Sequence, residues 1–278
     1  MNHITAYIRL SLKDIYPPEE VRALTMLICC DILGFDALDI YMGKDITLSE
    51  CKQRELENII FRLQKNEPIQ YIRGIAEFYG RQFRVAPGVL VPRPETSELV
   101  DLIIKENPEA KSILDIGTGS GCISISLSKE LPDAMVTAWD ISEEALEIAR
   151  WNNERLSGRV IFEKQDVLSD SGSETQRYDV IVSNPPYVTE KEKADMDPNV
   201  LEWEPDLALF VPDDDPLLFY RHIVVLAQKL LNQGGKLYFE INQAYGAEMV
   251  RLLEMNHYHN IRVIKDLFEN DRIVTANR

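Results

Sequence analysis

From about residue 96 to its end, the sequence alternates between amphipathic helical segments and short apolar segments rich in β-branched residues. Such apolar runs predict buried strands, and their alternation with helices predicts a parallel sheet covered by helices. We place strands at 112–116, 135–139, 159–163, 178–183, 236–241, 260–266 and 271–276. The last two are expected to form an antiparallel hairpin at the edge of the sheet. An α/β fold is therefore predicted.

The first part of the chain has a different pattern. Residues 1–72 contain few glycines, and apolar residues recur at helical spacing after the Pro-Pro pair at 17–18 and after Thr-Leu-Ser-Glu at 47–50. This pattern predicts a small helical bundle, which would serve substrate docking or another interaction. Residues 73–95 contain a predicted β-hairpin around Tyr79-Gly80 and then a stiff, proline-rich connector. We thus expect a helical domain at 1–72, a linker at 73–95 and an α/β domain at 96–278.

Composition and charge argue against several classes of protein. No stretch approaches the ~18 apolar residues of a membrane span, and the start of the chain lacks the pattern of a signal peptide, so a cytoplasmic protein is expected. The net charge of −16 disfavours a protein that grips nucleic acid. The four cysteines and four histidines show no metal-ligand spacing, so neither a disulfide framework nor a metal site is predicted.

A glycine-rich turn, Asp-Ile-Gly-Thr-Gly-Ser-Gly at 115–121, follows the first predicted strand of the α/β domain. Glycines allow a tight turn and close approach of a ligand, and the helix predicted at 123–131 offers its positive N-terminal end. Asp140 ends the next strand, 21 residues after Gly119, where an acidic residue can accept both hydroxyls of a ribose. Dinucleotide oxidoreductases and enzymes that use S-adenosylmethionine share this combination.

Two features favour the methyl donor over a dinucleotide. Asp115 stands two residues before the first glycine, where we expect its carboxylate to face a cationic or amino-bearing ligand and to repel a pyrophosphate. The Asn-Pro-Pro-Tyr segment described next has no role in hydride transfer. In this architecture, the loop Gln165-Asp166-Val167 is expected to lie over an adenine ring.

Asn-Pro-Pro-Tyr at 184–187 directly follows the apolar strand at 178–183. Two consecutive prolines stop the strand and prevent a helix, so the segment presents one amide side chain and two backbone carbonyls at the carboxyl end of the sheet. Ligands of open α/β sheets bind at that edge. Rigid acceptors suit a target that donates hydrogen bonds, such as a planar –NH2 group. A plain turn is the alternative interpretation.

These residues resemble the protein-(glutamine-N5) methyltransferases that act on peptide chain release factors, the PrmC or HemK family. The resemblance covers nearly the whole chain. Besides the glycine turn and Asn-Pro-Pro-Tyr, it is carried by Pro-Ile-Gln-Tyr-Ile-Arg-Gly at 68–74, by the connector ending in Pro-Arg-Pro-Glu-Thr at 92–96, and by Glu204-Pro205. It implies a seven-stranded Rossmann-like class I methyltransferase domain behind the helical domain. It also implies S-adenosylmethionine as cofactor and the glutamine of a Gly-Gly-Gln loop as target.

The resemblance also implies the site residues. The expected cofactor-binding residues are Gly117, Thr118, Gly119, Ser120, Gly121, Asp140, Val167 and Asn184. The expected substrate-binding residues are Asn184, Pro185, Pro186 and Tyr187, of which Asn184, Pro185 and Tyr187 are expected to be catalytic. Release factors are the implied partner, and we expect a monomer without direct nucleic-acid or membrane binding.

Two rival functions remain open from the sequence. An amino methyltransferase acting on adenine or guanine in nucleic acid could use the same tetrapeptide to grip a flipped base. The charge of −16 and the absence of a basic recognition segment argue against it. A scaffold protein with an inert methyltransferase fold is the second rival, and it should bind no cofactor.

Overall fold

The computed structural model describes residues 3–169 and 176–278. The chain forms two compact units. One consists of Met1–Gly74 together with Asp197–Trp203, and the other of Ile75–Met196 together with Glu204–Arg278. Residues 1–2 of the predicted helical domain and residues 170–175 of the predicted α/β domain lie outside the described residues.

The first unit is helical, as the sequence predicts. Its helices are α1 His3–Leu12, α2 Pro18–Leu27, α3 Ala37–Tyr41, α4 Glu50–Leu63 and α5 Ile69–Arg73. Helix α2 begins with proline in its first turn, where no backbone N–H is needed, and runs into a π-helical turn at Ile28–Ile32. Helix α4 is capped by Ser49, whose hydroxyl accepts from the Lys52 N–H at 3.4 Å. The apolar faces of these helices meet in one core that includes Ile8, Leu24 and Leu56.

A segment distant in sequence completes the helical unit. Residues 197–203 include a short helix, Pro198–Leu201. The indole N–H of Trp203 donates to the Lys65 carbonyl at 2.9 Å, just beyond the end of α4. The sequence did not predict this contribution, because no hydrophobic periodicity marks so short a helix.

The second unit begins with the predicted β-hairpin. Strands β1 Ile75–Phe78 and β2 Arg81–Arg84 pair antiparallel. The two turn residues, Tyr79 and Gly80, both have positive φ, at 46° and 69°. This is the backbone that two-residue hairpins favour, because its twist matches that of the flanking strands.

Seven further strands form the main sheet, which confirms the predicted fold class. They are β3 Ser112–Ile116, β4 Met135–Asp140, β5 Val160–Lys164, β6 Tyr178–Ser183, β9 Leu231–Glu240, β10 His259–Lys265 and β11 Asp271–Asn277. Their order is β10-β11-β9-β6-β3-β4-β5, and β11 runs antiparallel to its neighbours β9 and β10. The other neighbouring strands pair in parallel.

Three details differ from the expected strands. Strand β9 begins at Leu231 rather than at 236, because Leu231 pairs with Tyr178 before a register shift brings Lys236 opposite Val180. Strand β10 covers His259–Lys265, one residue earlier at each end than expected. A small parallel pair, β7 Val188–Thr189 and β8 Phe210–Val211, lies in a region for which no structure was predicted.

Helices cover both faces of the sheet. They are α6 Thr96–Glu106, α7 Cys122–Glu130, α8 Glu143–Arg155, α9 Leu218–Leu230 and α10 Gly246–Met255. Side chains of successive strand residues point to opposite faces. Ile113 therefore packs with the core under α6 and α7, whereas Leu114 packs with the core under α9 and α10.

The strand order places several loops together. Strand β3 lies between β4 and β6, and the chain runs outward from β3 in both directions. This is a topological switch point, where the loops at the carboxyl ends diverge and leave a crevice for ligands. The glycine turn after β3, Asp140 at the end of β4 and Asn-Pro-Pro-Tyr after β6 all lie at this edge.

Within residues 3–169 and 176–278, no helix is long and apolar enough to cross a membrane. The same residues contain no group of three or more His, Cys, Asp or Glu arranged to hold a metal ion. All four cysteines carry free thiols.

Asp179 ties three strands together at the opposite edge of the sheet. Its Oδ2 accepts from the Lys111 and Ser112 N–H groups at 2.8 and 3.0 Å, and its Oδ1 accepts from Asn232 Nδ2 at 2.7 Å. We expect Asp179→Asn to lower the free energy of unfolding by about 1–3 kcal/mol, because an amide cannot accept all of these bonds. Urea unfolding of both proteins at pH 7 measures the difference.

The pH dependence of that difference follows from the pKa of Asp179. Partial burial alone would raise it, but the hydrogen bonds from Lys111, Asn232 and Ser112 outweigh burial and hold it below its ordinary value. A carboxyl with a lowered pKa stabilises the fold above its unfolded pKa, near ~3.9, and stops doing so as pH falls through the folded value. The gap between wild type and Asp179→Asn should therefore shrink below about pH 4. A constant gap down to acid unfolding would contradict this.

Candidate active site

The glycine turn after β3 forms one wall of a cavity. Gly117, Gly119 and Gly121 have φ of 77°, 55° and 80°, a left-handed backbone that favours glycine. The N–H groups of Gly117 and Thr118 donate to the Trp139 carbonyl at 2.9 and 3.0 Å, which holds the turn against β4. A Cβ on Gly121 would come within 2.8 Å of the Ile125 side chain, so helix α7 packs tightly under the turn.

Asp115 supports this turn from beneath. Its side chain is fully buried, and its Oδ2 accepts from Thr118 Oγ1 at 2.7 Å and from the Ser124 N–H at 3.2 Å. Burial raises the pKa of Asp115 to about 6. The expectation that this carboxylate faces a ligand is wrong, because the turn folds over it; its hydrogen bonds instead join the turn to the start of α7.

Asp140 lies where the sequence places an acceptor for ribose hydroxyls. It ends β4, is half-buried and lines the cavity. Its two oxygens accept from the Gly119 and Ser142 N–H groups at 2.8 and 2.9 Å. Each carboxylate oxygen has two lone pairs, so both can still accept from a ligand. Burial raises the pKa of Asp140 above its ordinary value.

The loop after β5 supplies an apolar part of the cavity. Val167 lines it, together with its neighbour Leu168 and with Ile141, which follows Asp140. Asp166 accepts from the Leu168 N–H at 3.0 Å and from Ser169 Oγ at 2.7 Å, so its carboxylate shapes its own turn. Apolar surfaces of this kind suit the faces of a flat base such as adenine.

The Asn-Pro-Pro-Tyr segment lies beside the glycine turn. Ser183 Oγ donates to the Ile116 carbonyl at 2.7 Å, which joins the ends of β6 and β3. Asn184, Pro185 and Pro186 line the cavity. Within the described part of the chain, the Asn184 side-chain amide has no hydrogen-bond partner, so both its polar atoms are available to a ligand.

Tyr187 points elsewhere. It is not among the residues that line the cavity, and its hydroxyl donates to Glu240 Oε1 at 3.2 Å. Burial raises the pKa of Tyr187 well above its ordinary value, so the hydroxyl keeps its proton. A direct contact between Tyr187 and a substrate glutamine stays a prediction.

Sequence reasoning gave no role to the proline-rich connector, yet Arg93 and Thr96 line the cavity. Arg93 Nη2 donates to Glu204 Oε1 at 2.7 Å, and the Val91 N–H donates to the other oxygen of Glu204 at 3.2 Å. Glu204 thereby holds the connector against the segment that follows Asn-Pro-Pro-Tyr. Both partners lie in motifs that carried the family resemblance, and that was the available signal.

The cavity has a volume of about 360 Å³, within the usual range for small-molecule sites. A Cβ on Gly117 or Gly119 would meet no protein atom within 4 Å, so the space above this backbone is open to a ligand. One end offers the spare lone pairs of Asp140 beside apolar side chains. The other end offers the amide of Asn184. This combination of carboxylate acceptors, apolar side chains and one amide fits a nucleoside with a polar, amino-bearing chain, as in S-adenosylmethionine.

Comparisons with known proteins agree with this geometry. Residues 4–74 match the PrmC N-terminal domain family, and residues 95–201 match the methyltransferase small domain family. The chain is 74% identical to a release factor glutamine methyltransferase from Bacteroides thetaiotaomicron over 278 residues, which is 100% of both chains. It is 42% identical to one from Flavobacterium psychrophilum, over 99% of this chain and 98% of the relative.

Among solved structures, a methyltransferase from Pyrococcus furiosus superimposes with a TM-score of 0.53 at 20% identity, over 80% of this chain and 98% of that one. The fold and the site thus define the chain as a class I methyltransferase that uses S-adenosylmethionine. The similarity along its full length identifies it further. It belongs to the release factor glutamine methyltransferase family.

We expect Asp140→Asn to weaken S-adenosylmethionine binding by about 10- to 100-fold, because a hydrogen bond to a charged group is worth about 1.5–3 kcal/mol. Titration calorimetry gives both dissociation constants. Asp179→Asn is the matched control, since it makes the same exchange at the opposite edge of the sheet and should leave the affinity unchanged. Equal affinities in wild type and Asp140→Asn would contradict the role of Asp140.

Proposed function

We propose that this chain transfers a methyl group from S-adenosylmethionine to the side-chain amide nitrogen of the glutamine in the Gly-Gly-Gln loop of peptide chain release factors, in support of translation termination. The observation that carries the proposal is the position of Asn184 and Pro185, at the cavity wall beside the glycine turn. The family membership supports the same acceptor.

The cofactor site comprises the glycine turn, Asp140 and Val167. The backbone of residues 117–120 would lie along the amino-acid portion of the cofactor, Asp140 would accept from the ribose hydroxyls, and Val167 would lie beside the adenine. Gly121 does not line the cavity but packs against Ile125, so a direct contact between Gly121 and the cofactor stays a prediction. Bound there, S-adenosylmethionine supplies an electrophilic methyl group on a sulfonium. Thr118, Ser120 and Asn184 complete the proposed set of cofactor contacts.

The acceptor amide needs to be held, because its nitrogen is a poor nucleophile whose lone pair is delocalised into the carbonyl. The Asn184 side-chain oxygen and the Pro185 carbonyl would accept hydrogen bonds from the two N–H groups of the substrate amide. They would thereby direct the nitrogen lone pair toward the methyl group. Positive charge grows on nitrogen as the new bond forms, and these acceptors would stabilise it. Pro185 and Pro186 have no N–H, so their backbone offers carbonyl acceptors to the amide and no competing donor.

Loss of the proton would follow methyl transfer rather than drive it. Tyr187 keeps its proton and donates to Glu240, so it is not a base in this arrangement. Its proposed contribution is to close this side of the site to water. A methylated amide nitrogen with two protons is a strong acid, so it can release one to water without a dedicated base.

The proposal extends to partners and location. The helical unit would dock the release factor, which presents a protein surface rather than a bare nucleic acid. The charge of −16 supports an enzyme that does not bind nucleic acid directly. Since release factors act on ribosomes, the enzyme would work in the cytoplasm, and nothing in the chain requires more than a monomer.

The first test is transfer of radiolabelled methyl to a purified release factor. We expect label on the wild-type factor and none on a factor whose Gly-Gly-Gln glutamine is changed to alanine. Label on both factors would show that a residue other than this glutamine is methylated. Label on RNA or DNA alone would favour methylation of a base amino group instead.

We expect Asn184→Ala to lower kcat about 100-fold, because removal of one preorganised acceptor costs on the order of 3 kcal/mol in the transition state. Asn184→Asp keeps an acceptor oxygen and should retain more activity than Asn184→Ala. Steady-state kinetics with release factor and calorimetry with S-adenosylmethionine separate turnover from cofactor binding. Equal kcat in wild type and Asn184→Ala would refute the mechanism.

A further inference from the structure

Glu240, the last residue of β9, places a carboxylate in the interior beside the proposed site. Its exposure is only 2%. Burial raises its pKa, and two hydroxyl groups compensate for lost water: Thr96 Oγ1 donates to Oε2 at 2.7 Å, and Tyr187 OH donates to Oε1 at 3.2 Å. A buried carboxylate costs free energy unless such partners satisfy it. Glu240 is therefore fixed in place by these two partners.

The two partners belong to different walls of the site. Thr96 ends the proline-rich connector, begins α6 and lines the cavity. Tyr187 directly follows Pro186, which lines the cavity on the side of β6. Glu240 therefore joins the connector to the Asn-Pro-Pro-Tyr segment through one side chain.

Tyr187 is held at three points. Its hydroxyl binds Glu240, its N–H donates to the Leu209 carbonyl at 3.2 Å, and its carbonyl accepts from Asn242 Nδ2 at 3.3 Å. The two preceding residues are prolines, whose rings fix φ. Anchoring Tyr187 therefore limits how the backbone of Asn184 and Pro185 can turn. This matters because the Asn184 amide has no partner of its own within the described residues.

We propose that Glu240 is a positioning residue for methyl transfer. It holds Tyr187 and Thr96 in place, so that the hydrogen-bond acceptors of Asn184 and Pro185 stay directed into the cavity. The inference rests on the proposed function for its kinetic consequence. Its structural consequence, a fixed Asn184 side chain, can be measured without any methyl acceptor. Glu240 touches neither substrate nor cofactor in this scheme.

Glu240→Gln is the test variant, because it keeps the shape and removes the charge and one acceptor. We expect kcat for methylation of release factor to fall about 10-fold, as a small misplacement of reacting groups can do. The KM for release factor and the dissociation constant of S-adenosylmethionine should stay within about twofold, since the glycine turn and Asp140 are untouched. Weakened cofactor binding would instead indicate general damage and overturn the proposal.

Glu106→Gln is the matched control. Glu106, the last residue of α6, accepts through Oε2 from the hydroxyl of Tyr238 on β9 at 2.8 Å, which is another tyrosine–glutamate pair, and neither residue lines the cavity. Arg262 also pairs with Glu106. The Glu106→Gln substitution should lower the free energy of unfolding without changing kcat. A similar fall of kcat in Glu240→Gln and Glu106→Gln would show that loss of either tyrosine–glutamate pair acts through the stability of the fold, and it would contradict a positioning role for Glu240.

Tyr187→Phe removes the same hydrogen bond from the other partner, and it keeps the test available if Glu240→Gln does not fold. If Glu240 acts through Tyr187, the double variant should be no slower than the slower single variant. Losses that multiply would overturn this route of action. Unchanged kcat in Tyr187→Phe would do the same.

A last measurement separates this inference from the proposed function. The Asn184 side-chain amide signals in a ¹⁵N spectrum can be assigned by their absence in Asn184→Asp. They should shift or broaden in Glu240→Gln and stay unchanged in Glu106→Gln. Unmoved signals in Glu240→Gln overturn the inference even if the wild type methylates release factor. An inactive wild type with moved signals would overturn only the proposed function.

Discussion

The buried carboxylate of Asp115 is the interaction on which the rest of the site depends. By binding Thr118 and the first turn of α7, it fixes the end of β3 to the glycine turn above it. The glycine turn is itself hydrogen-bonded to Trp139 and Asp140 at the end of β4. A ligand therefore meets a wall whose shape is set before it arrives, and little ordering remains to be done on binding.

A second chain of contacts organises the acceptor side. Ser183 anchors the end of β6 to β3, and Glu240 anchors Tyr187 from β9. The prolines between these anchors leave the backbone little freedom. The cofactor side and the acceptor side of the site are thus both attached to β3. A methyl donor and a methyl acceptor bound there would be held at a fixed position relative to each other.

Much of this could be predicted from the sequence, because parallel strands and the loops that end them have strong local signals. The glycine turn, Asp140 and Asn-Pro-Pro-Tyr follow strands whose apolar runs were recognised, and they meet at the switch point. The role of Asp115 was misjudged, since sequence cannot show that a turn folds over its own carboxylate. Glu240 was missed because its partners lie 53 and 144 residues away, a separation that no local pattern reports.

The helical unit is not one continuous stretch of chain. It includes residues 197–203, of which 197–201 belong to the sequence matched to the methyltransferase small domain, and the Trp203 indole donates to the Lys65 carbonyl. A single crossover at residue 74 between two related enzymes therefore does not exchange the whole helical unit. A chimera made there would combine one parent's helices with the other parent's closing segment. Any recombined enzyme would inherit a mixed helical unit unless both stretches moved together.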